Sequence, residues 1–222
     1  MRVFVNRYYK DFRYNPAMIK NNNAMSGFMA DRKTLAVLFS GKGTNFAYIV
    51  KTLHGKGYDV VMALTNNPEA EGIRVAKEAS IPLEIIDSRA FENREEFDAE
   101  VVKRLAPYAP DLTVLAGFMR ILTPVFTEHV KAVNLHPSLL PRHKGLHAIE
   151  KSYADAYAEG GVSVHWVTSE LDGGEIILQR TVSKEGLDLE AYDRKIRQIE
   201  KEALVEAVCK VLSGEEEKYA AL

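Results

Sequence analysis

The sequence predicts an α/β fold, with a mostly parallel sheet, helices on both faces and an antiparallel C-terminal portion. Three observations predict it. From Thr34 onward, short apolar runs alternate with longer amphipathic ones. A glycine-rich turn, Ser40-Gly41-Lys42-Gly43-Thr44-Asn45, joins the first apolar run to the first amphipathic one. Past His136 the rhythm changes, and two β-rich runs flank Gly173-Gly174.

Each element follows in chain order. Leu35–Phe39 is apolar throughout and short, the pattern of a strand buried on both faces, and Thr44–Leu53 follows as a helix. Asp59–Leu64 is strand-like and Glu71–Ala79 helical; Leu83–Ile86 is a strand and Arg94–Leu105 a helix; Leu112–Ala116 is a strand. Strands that alternate with helices need crossover connections, which are right-handed and build a parallel, Rossmann-like sheet. Val130–His136 closes that series. A helix near Ala148–Ala158 then leads to Val162–Val167 and Glu175–Val182, which pair as antiparallel neighbours across the Gly-Gly turn. Leu189–Leu212 is a long helix, with Leu189, Tyr192, Ile196 and Ile199 at helical spacing.

The chain has 222 residues, enough for one α/β domain with a substantial core, assigned to residues 34–213. No apolar run approaches the roughly 20 residues that span a bilayer. Net charge is −2, which calls for neither nucleic acid nor an anionic membrane as partner. Cys209 is the only cysteine, so no intrachain disulfide forms and a reducing, cytoplasmic setting is expected. Residues 1–33 carry seven Lys/Arg against two Asp, a net +5 that leaves −7 for the remainder. This leader lacks an apolar h-region and any periodicity, and reads as a disordered basic extension in which Met18, Met25 and Met29 offer later starts. Residues 214–222 read as an acidic, solvated tail.

The turn at Gly41, Lys42, Gly43, Thr44 and Asn45 suits an oxyanion. Glycine lets backbone approach it, the following helix N-terminus presents free N–H groups, and Thr44 and Asn45 add donors. The third glycine of a dinucleotide fingerprint is absent, since Phe46 stands there. The second strand ends in Thr65-Asn66-Asn67 without a ribose-binding acid, and no Gly-Lys-Ser/Thr closes a Walker loop. A single phosphate fits this loop better than NAD or ATP.

Asn134-Leu135-His136-Pro137-Ser138-Leu139-Leu140-Pro141, with Leu171-Asp172-Gly173-Gly174 downstream, supplies an amide, an imidazole and a carboxylate. In an extended segment Asn134 and His136 leave the same face, and Pro137 biases His136 toward extended backbone. These groups suit transfer of an acyl carbon between two nitrogens. An amide N–H directed at the developing oxyanion is typically worth about 3–4 kcal/mol of barrier. Acid–base help from His136 adds about 100- to 10,000-fold. Asp172 beside the ring is expected to favour the imidazolium and raise its pKa. His136, His143 and His147 lack a zinc-type flanking pattern, so no metal is expected.

From about Leu35 to Leu212 the chain resembles the folate-dependent phosphoribosylglycinamide formyltransferase family. The phosphate loop, Ala116-Gly117-Phe118-Met119-Arg120-Ile121-Leu122, the Asn-x-His-Pro-Ser-Leu-Leu-Pro string and Leu-Asp-Gly-Gly carry the resemblance, in that order. It implies the formyltransferase fold, and transfer of a formyl group from 10-formyltetrahydrofolate to the amine of glycinamide ribonucleotide in de novo purine synthesis. Small molecules are then the only partners, with the folate as cosubstrate and a monomer or homodimer as the assembly. Gly43, Thr44 and Asn45 would hold the ribonucleotide phosphate, with Gly41 and Lys42 in the same loop. Arg197, Gln198, Ile199 and Glu200 would meet the ribose and glycinamide end. Met119, Arg120, Ile121 and Leu122 would line the pteridine pocket, and Arg94 would meet the folate tail. Asn134 would bind the formyl oxygen and His136 act as general acid. Thr168, Ser169, Glu170, Leu171 and Asp172 would form the loop that touches folate and supplies the carboxylate. Lys42 occupies a variable position, Arg197 stands where a neutral amide is frequent, and His143 stands where an aromatic ring is common.

Taken singly, several of these residues have plainer readings. Arg94 reads as a solvated helix start, Met119 as core packing, Arg197 and Glu200 as a surface ion pair, Asp172 as a turn residue, and Cys209 as a small buried hydrophobe. His54, His129 and His165 read as structural or solvated. Competing functions are another folate formyltransferase, a formyltetrahydrofolate hydrolase, and a non-catalytic module that binds a phosphate metabolite. About ten residues follow the last helix, which disfavours an RNA-facing C-terminal domain, and a 33-residue leader is too short for a regulatory one.

Overall fold

The computed structural model describes residues 32–214. The expected disordered leader and acidic tail lie outside these residues, apart from Arg32 and Lys33 at one end and Gly214 at the other. Seven strands form one sheet: β1 (Lys33–Phe39), β2 (Tyr58–Thr65), β3 (Leu83–Ile85), β4 (Leu112–Leu115), β5 (Ala132–His136), β6 (Glu159–Trp166) and β7 (Ile176–Ser183). Their order is β3-β2-β1-β4-β5-β6-β7. The first five are parallel, whereas β6 and β7 run antiparallel. The helices are α1 (Thr44–Leu53), α2 (Ile73–Glu78), α3 (Arg94–Leu105), α4 (Pro124–Thr127), α5 (Ala148–Ala154) and α6 (Leu189–Leu212).

Strand alternation splits the core between the two faces of the sheet. Leu35, Val37 and Phe39 of β1 join α1 and α6 residues in one cluster, while Ala36 and Leu38 join Phe97, Val101 and Phe126 in the other. In β5, Val133 and Leu135 enter the first cluster, so Asn134 and His136 leave by the opposite face.

Local chemistry sets the ends. Asn93 and Asp188 cap α3 and α6 by accepting from Glu96 and Ala191 N–H at 2.9 and 2.7 Å. The helix expected to run to Ala158 stops at Ala154, because Asp155 turns extended and its carboxylate accepts from Tyr157 N–H at 3.0 Å. Strand β6 starts three residues before the expected Val162 and includes Gly160 and Gly161. A Cβ at Gly160 would lie 1.7 Å from Tyr192 Oη, so glycine here is the condition for α6 to lie close on the strand. Helix α4 was not expected; its N-cap residue, Thr123, is held by Asp98.

Phe39 and Phe46 stack with ring centroids 5.2 Å apart, both fully buried, and tie the first strand to the helix behind the phosphate loop. Phe46→Ala is expected to lower unfolding free energy by about 3–5 kcal/mol in urea titrations. A loss under about 1 kcal/mol would show that this contact does not hold α1 in place.

Candidate active site

Strand order reverses between β2 and β4, which lie on either side of β1. In open α/β sheets ligands bind at such a switch point, beyond the carboxyl ends of the strands. The phosphate loop follows β1, Gly117–Leu122 follows β4, and His136 ends β5. The glycine-rich loop, the Gly117–Leu122 segment and His136 therefore lie at one edge of the sheet, while Arg197, Gln198 and Glu200 are carried by α6 and Arg94 begins α3.

Asp172 organises the centre. It is buried with backbone in the left-handed region (φ 47°), and takes donors or ring nitrogens from three segments. His136 Nδ1 lies 3.3 Å from Oδ2, and Gly145 N–H donates to the same oxygen at 2.8 Å. Asn134 Nδ2 donates to Oδ1 at 3.4 Å, and His165 Nε2 stands 3.5 Å from it. The expected amide, imidazole and carboxylate thus converge. His165 was expected to be merely structural or solvated, yet it is buried in the centre. Its Nδ1–H donates to the Trp166 carbonyl at 2.8 Å, which leaves Nε2 to accept from the Asn134 amide at 3.1 Å. The cause is register: Asn134 pairs directly with His165 across β5 and β6.

A second set of bonds secures the segment after His136. His136 Nε2–H donates to the His143 carbonyl at 2.8 Å. Ser138 Oγ donates to the Arg142 carbonyl at 2.5 Å, and Ser163 Oγ donates to the Ser138 carbonyl at 2.7 Å. His143, in place of the common aromatic ring, donates from Nε2 to Asp155 at 2.6 Å, and Lys184 Nζ reaches the other oxygen at 2.6 Å. Burial would raise the Asp155 carboxyl, but hydrogen bonds from Lys184, His143 and the Tyr157 N–H, with the charge of Lys184, hold it down to about 2. His147 is exposed ahead of α5.

The protonation of His136 corrects an expectation. Burial pushes its pKa below the ordinary 6.5, and the His143 carbonyl and Asp172, which pull upward, do not overcome it. The free protein thus holds a neutral ring at pH 7. Asp172 is also subject to burial, which would raise it, but the neighbouring His165 ring, the Gly145 N–H and the His136 ring hold it below the usual carboxylate range.

At the phosphate loop Gly43 has φ 70° and precedes α1, and a Cβ there would lie 2.5 Å from Gly72 Cα. Gly41, Lys42 and Thr44 are exposed, while Asn45 is half-buried with Oδ1 lacking a hydrogen-bond partner. Glu200 on α6 is only 5% exposed, so it is no surface ion-pair residue. Burial raises its pKa against the pull of Arg197, 3.6 Å away, and the Asn45 amide. Arg197 and Gln198 are exposed, and Arg197 also meets Asp193 at 3.4 Å.

Met119 is 71% exposed and Ile121 48%, contrary to the core reading of Met119, whereas Leu122 packs into the second core cluster. Arg120 lies over the Phe97 ring at 4.9 Å. Arg94 is exposed at the start of α3, where the helix dipole disfavours a cation, so helix stability does not account for it. Thr168, Ser169, Glu170 and Leu171 form an exposed turn, tied by Lys144 to Glu170 at 2.7 Å. A cleft of about 320 Å³ opens beside Asp172, between Leu140, Lys144, Glu175 and Ile176.

This geometry agrees with the comparisons to known proteins. Residues 33–208 match the family model described as formyl transferase. The chain is 43% identical over 153 residues to phosphoribosylglycinamide formyltransferase of Escherichia coli K12, covering 67% of this chain and 72% of that protein. It is 31% identical over 220 residues to the human trifunctional purine biosynthetic protein adenosine-3, covering 96% of this chain but 22% of that longer protein. The crystal structure of phosphoribosylglycinamide formyltransferase from Campylobacter jejuni superposes with a TM-score of 0.81 at 47% identity, covering 83% of this chain and all of that one. The chain therefore belongs to the formyl transferase family, among its phosphoribosylglycinamide formyltransferases.

Proposed function

We propose that this protein transfers the formyl group of 10-formyltetrahydrofolate to the amine of glycinamide ribonucleotide, giving N-formylglycinamide ribonucleotide and tetrahydrofolate. The observation that carries this reading is the convergence of Asn134, His136 and Asp172 at 3.3–3.4 Å, at the sheet edge that also bears the phosphate loop. The work belongs to purine synthesis, as in the relatives. No helix among the described residues is long and apolar enough to cross a membrane. A cytoplasmic setting accords with the single cysteine, and a monomer or homodimer needs only small-molecule partners.

Each group takes a role. Gly41 to Asn45 hold the phosphate, and Arg197, Gln198 and Glu200 meet the ribose end. Met119 to Leu122 and Thr168 to Asp172 receive the folate, with Arg94 toward its tail carboxylates. The amine attacks the formyl carbon, and charge grows on the formyl oxygen. Asn134 stabilises that oxygen, for which its 3.4 Å bond to Asp172 is the weaker of its two and the easier to exchange. Of the His136 nitrogens, Nδ1 faces Asp172, so Nε2 is the one that meets substrate, after parting from the His143 carbonyl. In parting from that carbonyl the neutral ring moves its proton to Nδ1, which then donates to Asp172. Nε2, now free, accepts the proton lost by the amine, Asp172 stabilises the imidazolium so formed, and that proton passes to folate N10 as the C–N10 bond breaks. Bonds and protons balance: one N–C bond forms, one breaks, and one proton moves from amine to N10.

Mixing the protein with 10-formyltetrahydrofolate and glycinamide ribonucleotide, and following tetrahydrofolate release by absorbance, tests the reading. Release should require the ribonucleotide. His136→Ala and Asp172→Ala should each lower kcat by about 100- to 10,000-fold while KM for the ribonucleotide stays within a few-fold. Equal release without the ribonucleotide indicates hydrolysis, and near-normal kcat in both variants overturns the assignment.

The depressed His136 pKa has a definite sign. Below about 6.5 the unfolded ring takes up a proton that the folded ring resists, so this group's contribution to stability is lost as pH falls from 6.5 through the folded value. A nitrogen-detected NMR titration should place its midpoint below 6.5, and lower still in Asp172→Asn, because the carboxylate opposes burial. A midpoint at or above 6.5 in the wild type contradicts the neutral-ring mechanism.

A further inference from the structure

We propose that Ser40 and Asp98 are positioning residues that hold the two ends of the Met119–Leu122 segment in the geometry that receives folate. The inference rests on the reading of that segment as the folate pocket. Ser40 is the first residue past β1, at the point where strand order reverses. Its Oγ accepts from Met119 N–H at 2.7 Å and donates to Asn66 Oδ1 at 2.5 Å. Its own N–H donates to the Gly117 carbonyl at 3.1 Å. Asn67 Nδ2 in turn donates to the Ser40 carbonyl at 3.2 Å. The ends of β1, β2 and β4 are thereby joined through one side chain, and neither partner of its hydroxyl belongs to the phosphate loop.

Asp98 holds the other end. It is 1% exposed on α3, one turn beyond Arg94. Its Oδ2 accepts from Thr123 N–H at 2.6 Å and from Thr123 Oγ1–H at 2.7 Å. Between the two clamps the side chains supply little restraint. Met119 and Ile121 are large, apolar and exposed, while Arg120 lies over the Phe97 ring and Leu122 packs into the core. A backbone with exposed side chains keeps one geometry only if its polar groups are tied down. Here, beside the Arg120 N–H bond to the Phe118 carbonyl at 2.9 Å, the ties at the two ends come from side chains of other elements. Removing one frees the segment, and the loss falls on the ligand that packs against it. The phosphate-binding residues Gly41–Asn45, to which the Ser40 hydroxyl makes no bond, keep their own geometry.

The test is initial-rate kinetics with 10-formyltetrahydrofolate and glycinamide ribonucleotide varied independently. Ser40→Ala should raise KM for the folate about three- to tenfold, the scale of one hydrogen bond, and leave kcat and the ribonucleotide KM within about twofold. Ser40→Thr, which keeps the hydroxyl, should restore the folate KM. Asp98→Asn, with a weaker acceptor at the far end, should shift the folate KM in the same direction and serves if Ser40→Ala does not fold. A folate KM unchanged in both variants overturns the proposal, as does an equal change in both KM values, which marks general damage to the fold. Ile121→Ser separates this inference from the pocket reading. If it raises the folate KM while Ser40→Ala does not, the positioning role fails alone. If neither raises it, the assignment of the segment to folate fails with it.

Discussion

A buried carboxylate must be satisfied or it will not stay charged, and the site is arranged around that requirement. Asp172 is removed from water, and burial by itself favours its neutral form. It remains ionised because the ends of β5 and β6 and the segment at Gly145 converge on it with two imidazoles, an amide and a main-chain N–H. Those four groups come from three separate stretches of chain. Satisfying one charge therefore draws Asn134, His136, His165 and Gly145 into a fixed constellation.

In the proposed mechanism the same constellation lets a neutral histidine serve as the base. Burial keeps His136 from holding a proton at rest, and the neighbouring carboxylate lowers the cost of holding one transiently. A ring that is neutral before the amine attacks and stabilised once charged is suited to taking a proton and returning it. The parallel half of the sheet brings the phosphate loop and the Met119–Leu122 segment to the same edge. The antiparallel half sets His165 beside Asn134. Parallel strands bring these two loops together, and the antiparallel pairing adds His165 to the cluster of Asn134, His136 and Asp172.

How far the sequence was legible depended on the range of the interaction. Helix α1 matches its expected span, because Gly43 and the apolar spacing after it are local signals. The shared face of Asn134 and His136 follows from alternation within one strand. His165 escaped notice because its place depends on the register between β5 and β6, which no local pattern carries. The direction of the His136 pKa was misjudged for a related reason. The charge partner is visible in the chain, but the depth of burial depends on everything packed around it. Met119 shows the reverse error: a large apolar side chain reads as core, and only the fold reveals that it faces solvent beside the site. The end of α5 moved because Asp155 turns the chain through a local bond to Tyr157 N–H, whereas the start of β6 depends on the close approach of α6 to Gly160, a contact made at a distance.

The claim at the centre is that the imidazole and the carboxylate act as one unit. A single-turnover double-mutant cycle measures this directly, comparing the formyl-transfer rates of His136→Ala, Asp172→Ala and the variant that carries both. Groups acting together lose their whole effect when either is removed, so the doubly substituted protein should react within a few-fold of the slower single variant. If the two losses multiply instead, the residues contribute independently, and the account of a proton held jointly by the pair is wrong.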